Sequence, residues 1–109
     1  MNENNVSRIL RIVPREKAFY FFSSIGNYTG ISASSLLEFI EMIEQVDVKS
    51  VRFHFLRKDF EKWVEEVLED DVLAKKIKTL RNSFLEEDVL KQRLQSTLTE
   101  RYSELRESV

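Results

Sequence analysis

Residues 19–22 read Phe-Tyr-Phe-Phe. Successive side chains alternate on a strand and step around a helix, so neither element can turn four consecutive aromatics toward one surface. The run must lie between two surfaces, part of it in the main core and part against something else. Aromatic residues favour strands, while Pro14 just upstream suits the first position of a helix continuing through Phe22. Both remain open, and the balance leans to a short strand at residues 18–23.

Around that run the pattern is helical. The 109 residues include two Gly and one Pro, a scarcity that favours helices with short connections. Val6, Ile9, Leu10 and Val13 follow helical spacing and predict a first helix stopping before Pro14, capped by Asn4 or Asn5. Ser35-Leu36-Leu37-Glu38 is a capping box, and it opens a helix that turns Leu36, Phe39, Ile40 and Ile43 inward and ends near Gln45-Val46. Residues 48–56 fit a strand through Val51, Phe53 and Phe55 or a helical face through Val51, His54 and Phe55. With Ser50 available as a cap, the helix is preferred.

Asp59 is read as the cap of the next helix, which buries Phe60, Trp63, Val64 and Val67. Asp70 or Asp71 opens another, with Leu73, Ile77 and Leu80 inward. Ser83-Phe84-Leu85-Glu86 is a second capping box, for a long last helix over residues 84–107. Its stripe is Val89, Leu90, Leu94, Leu98, Tyr102, Leu105 and Val109, whose slow drift differs from a strict coiled-coil seam. Residues 23–34 are polar, non-periodic and hold both glycines, so they read as a long connection with a turn at Gly26-Asn27. The expected fold is mainly α: one domain over residues 1–109, a compact bundle of about five helices with a long C-terminal helix and, if 18–23 is extended, one short strand.

Composition narrows the function classes. With 42% hydrophobic and 33% charged residues the chain is globular in character. Its formal net charge of −2 gives no reason to expect nucleic acid or an anionic membrane as partner. There is no cysteine and a single histidine, which removes thiolate metal sites and disulfides and leaves only carboxylates for a hard cation. No metal and no cofactor is expected. The longest unbroken apolar run, residues 18–22, is far short of a membrane span, and the N-terminus lacks a signal-peptide pattern. A cytoplasmic protein is the expectation.

The ordered set Phe19 to Phe22, Gly26, Gly30, Leu36 to Phe39, Phe53-His54, Asp59-Phe60, Trp63, Asp70, Leu73-Ala74 and Ile77 resembles a family of uncharacterised prokaryotic, largely archaeal, domains. The resemblance covers about residues 18–81. It implies a small, mostly helical domain and carries no assigned reaction, so no catalytic residue is transferred by it. Relatives commonly have Gly where this chain has Lys58 or Glu69, which puts a tight turn of positive φ at those two positions in doubt.

His54 is the residue most suggestive of chemistry, since an imidazole titrates near neutrality. Its flanking Phe53 and Phe55 favour the plainer reading of a partly buried ring whose nitrogens bond to a backbone carbonyl or a carboxylate. No nucleophile motif accompanies it. Trp63 is assigned to the core, with its N–H bonded at the edge. The acidic run from Glu61 to Asp71 lacks calcium-loop spacing, and the basic set Lys75, Lys76, Lys78 and Arg81 lacks an aromatic platform; each is read as a solvated face. The polar loop at residues 26–29 is the best place for a contact.

The candidate contact residues are therefore His54, Tyr28, Asn27 and Arg57. The leading expectation is a non-catalytic helical interaction module that self-associates as a homodimer through Leu94, Leu98, Tyr102 and Leu105, with a protein partner in view. The alternative is a small-ligand or enzymatic domain using His54 with Tyr28, Arg57 or Asp59.

Overall fold

The computed structural model describes residues 3–83 and 85–108. Six α-helices and two strands occur among them: α1 (Glu3–Ile9), β1 (Phe19–Ser24), β2 (Asn27–Ala33), α2 (Leu36–Gln45), α3 (Val48–Leu56), α4 (Asp59–Trp63), α5 (Asp71–Asn82) and α6 (Glu87–Glu107). A 3-10 turn follows Pro14, and α4 runs on as one π-helical stretch, Val64–Leu68. The mainly helical bundle, the strand at the aromatic run and the long last helix are as expected.

The aromatic run resolves as its chemistry requires. On β1 the side chains alternate, so Phe19 and Phe21 enter the core while Tyr20 and Phe22 face the other way. Phe19 meets Phe21 at 4.8 Å between ring centroids and Phe39 at 5.5 Å. Phe39 meets Phe60 at 5.3 Å and Trp63 at 5.1 Å. Edge-to-face and tilted aromatic packing of this kind contributes beyond area burial, about 0.5–1.5 kcal/mol per pair. Trp63 donates its indole N–H to the Lys17 carbonyl at 2.8 Å, as a buried indole must.

Residues 23–34 were expected to be a connection, and instead they hold a second strand. β1 and β2 form an antiparallel hairpin closed by a turn at Ile25 and Gly26. The pairing runs Phe19↔Ala33, Tyr20↔Ser32, Phe21↔Ile31, then shifts to Phe22↔Tyr28. Thr29 and Gly30 are the extra residues of that bulge. Gly30 takes φ +87°, and the Thr29 hydroxyl donates to the Phe21 carbonyl at 2.7 Å in place of a ladder bond. β2 is made by its partner strand, not by its own periodicity.

Several helix boundaries differ from the sequence reading, each for a visible reason. α1 ends at Ile9, and Val13 lies outside it, donating its N–H to the Ser34 carbonyl at 2.8 Å. Asn4 and Asn5, expected as its cap, both lie within α1. Ser35 caps α2 by accepting from Glu38 N–H at 3.2 Å, while the Glu38 carboxylate accepts from Ser34 N–H at 2.7 Å. α3 is capped by Asp47, accepting from Lys49 N–H at 2.8 Å, and not by Ser50. Ser83 ends α5 and donates to the Thr79 carbonyl at 3.1 Å, so it does not open the last helix. α6 begins at Glu87; Phe84 and Val109 lie outside the described residues.

Lys58 and Glu69 both adopt positive φ, +69° and +64°. The tight turns doubted for want of glycine are therefore present, and two L-residues bear them. Lys58 separates α3 from α4, and Glu69 separates the π-helical stretch from α5.

Two carboxylates expected on a solvated face are not solvated. Asp70 is buried, caps α5 by accepting from Leu73 N–H at 3.1 Å, and takes a bidentate pair from Arg101 on α6 at 2.9 and 3.0 Å. Glu61 pairs with Arg81 at 2.6 Å, both mostly covered. That contact withdraws Arg81 from the basic set, and Lys76 pairs with Glu104 at 3.4 Å. α6 lies across α2, α3 and α5, and Leu90, Leu94, Leu98 and Leu105 are buried against them, with Tyr102 half-buried. Among the described residues no helix is long and apolar enough to cross a membrane.

Candidate functional site

The site begins with the way β1 meets α3. At Phe22 the strand has left register with β2, so its backbone N–H and C=O both point to α3. The Phe22 N–H donates to His54 Nε2 at 2.8 Å, and the Phe22 carbonyl accepts from Ser50 Oγ at 2.8 Å. Two side chains one helical turn apart thus close the strand edge.

Since His54 Nε2 accepts a hydrogen bond, it carries no proton. The ring proton is on Nδ1, which donates to Asp59 Oδ2 at 2.9 Å. His54 is 4% exposed. Burial disfavours the imidazolium and lowers its pKa from the ordinary 6.5; the bond and charge of Asp59 oppose that shift, and Arg57 adds to it. The result is a neutral histidine with both nitrogens committed. To act as a general base it would first have to release the Phe22 amide.

Asp59 was read as a helix cap. It instead stands at the first position of α4, with its carboxylate turned to His54 Nδ1–H and to Arg57 Nε–H at 3.3 Å. Arg57 lies half-exposed with its guanidinium 5.0 Å from the centre of the Phe53 ring. A turn with Lys58 in the left-handed region brings these charges together.

Beside this cluster lies a groove of about 360 Å³, between the outer face of β1, the hairpin turn and the C-terminal end of α3. Tyr20, Phe22, Ile25, Phe53 and Arg57 form its walls, and His54 and Asp59 are at its inner end. The outer face of the hairpin continues the same surface. Tyr28 packs on Phe22 at 5.4 Å and on Tyr20 at 5.8 Å and is 45% exposed, while Ile25 at the turn is 83% exposed.

Of the four candidates read from the sequence, His54 and Arg57 line the groove and Tyr28 stands beside it. Asn27 is engaged within the turn, donating its amide to Ser23 Oγ at 2.6 Å. Tyr20, Phe22, Ile25 and Phe53 were missed as site residues. The signal for Phe22 was present, since the aromatic run had to meet a second surface. Among the described residues no group of three His, Asp or Glu side chains converges as a metal site would require.

A mainly helical domain packed around one aromatic hairpin, with a groove at the hairpin's outer face, is the class of protein these features define. A model for the Family of unknown function (DUF5752) matches residues 1–99, and the chain belongs to that family. The match includes α1 and much of α6, well beyond residues 18–81. Comparison with curated proteins and with solved structures found no match.

Proposed function

We propose that the protein is a non-catalytic interaction module, acting in a prokaryotic (archaeal) cytoplasm, that binds a protein partner through the groove between the hairpin and α3. The observation that carries this reading is the apolar lining of that groove: the half-buried rings of Tyr20, Phe22 and Phe53, the exposed Ile25 at the turn, and Arg57 at the rim. Aromatic residues and arginine are the residue types that dominate interface energetics. The commitment of both His54 nitrogens favours binding over catalysis. The reading no longer includes a homodimer through α6, since Leu94, Leu98 and Leu105 are occupied by the chain's own core.

Selection of a random peptide display library on the immobilised protein tests the proposal. Peptides with a bulky apolar anchor should be enriched, and Ile25→Asp should abolish their binding while leaving the circular dichroism spectrum and melting temperature unchanged. Enrichment no greater on the wild type than on Ile25→Asp would remove the groove as the binding surface.

A further inference from the structure

We infer that Arg57 is a carboxylate anchor, and that the groove takes the C-terminal residue of a partner chain, its bulky apolar side chain inside and its free α-carboxylate on the guanidinium. This rests on the binding reading above and specifies its ligand.

Arginine on a surface is ordinarily mobile, and immobilising it for a ligand is costly. Here the guanidinium is already held. Its Cζ lies over the Phe53 ring and its Nε–H is directed to Asp59. Among the described residues the two Nη groups make no hydrogen bond or ion pair to protein, and Arg57 lines the groove. A planar fork fixed on one side and open on the other is suited to bidentate carboxylate recognition.

The local charge permits it. Asp59 Oδ2 is already shared between His54 Nδ1–H and Arg57 Nε–H, and His54 is neutral. Among the residues lining the groove Arg57 and Asp59 balance, so no net negative charge there opposes a carboxylate. The groove's volume, about 360 Å³, lies at the small end for ligand pockets. That suits the end of a chain better than a segment passing through.

Three peptides make the test: acetyl-Ala-Ala-Ala-Phe with a free carboxylate, the same peptide amidated, and an amidated peptide with an internal Asp beside the Phe. Titrations are followed by NMR at the Arg57 Nε–H and the Gly26 and Ile25 amides. The free acid should bind about tenfold more tightly than its amide, as expected for hydrogen bonds to a charged group. It should also outbind the internal Asp peptide, and Arg57→Gln should erase the preference while apolar binding persists. Equal binding of acid and amide at the groove overturns the anchor but leaves the interaction module standing. Equal binding of the internal Asp peptide overturns the C-terminal assignment. No shift at the groove with any peptide counts against both.

Discussion

At the scale of single residues, His54 is a strut. It joins β1 to the start of α4 through a backbone amide on one nitrogen and Asp59 on the other, and it does so only while neutral. Its pKa lies below the ordinary 6.5 because it is buried. The unfolded chain therefore binds a proton that the folded chain refuses between the two pKa values. The contribution of His54 is fully present above about pH 7.5 and is lost as pH falls below 6.5 and through the folded pKa. Urea midpoints measured from pH 8 to pH 5.5 should fall for the wild type more steeply than for His54→Gln; parallel curves would refute the assignment. The buried ring was legible from its two phenylalanine neighbours. A carboxylate partner was legible in kind, whereas the backbone partner is an amide and not the expected carbonyl, 32 residues away and directed by a bulge.

At the scale of elements, the junctions carry the strain. Lys58 at φ +69° stands where a glycine would sit without penalty. Replacing it by glycine should stabilise the protein by about 1 kcal/mol, the left-handed cost removed less the added chain entropy. Thermal melts should show a rise of several degrees. Lys58→Ala keeps the strain and should show no such rise, which separates backbone relief from loss of charge. Glu69→Gly should gain less, since Glu69 also pairs with Arg8 and Arg11. The hairpin shows the limit of pattern reading at this scale. β1 was legible from its aromatics, whereas the first half of β2 is exposed and has no apolar alternation, so only pairing with β1 defines it.

At the scale of the whole molecule, α6 is a core element. Its stripe was legible from spacing, but spacing says nothing of which surface covers a stripe. α2, α3 and α5 cover it, and Leu98 is wholly buried. Leu98→Glu should therefore cost several kcal/mol, a large fraction of the roughly 5–15 kcal/mol typical of a domain. The expected readout is loss of the cooperative melt at every protein concentration. A variant that stays folded and merely changes sedimentation from dimer to monomer would return α6 to the role of an oligomer face.

The family match stops at residue 99, two residues short of Arg101. Asp70 has no solvent to turn to, and Arg101 is its counter-ion. A fragment trimmed to the match would take away that counter-ion, leaving Asp70 its bond from Leu73 N–H, and would also lose Leu105 from the core, so it should be markedly less stable than the full chain. The boundary drawn by similarity is thus not the boundary drawn by electrostatics: the smallest autonomous folding unit must extend at least far enough to neutralise Asp70.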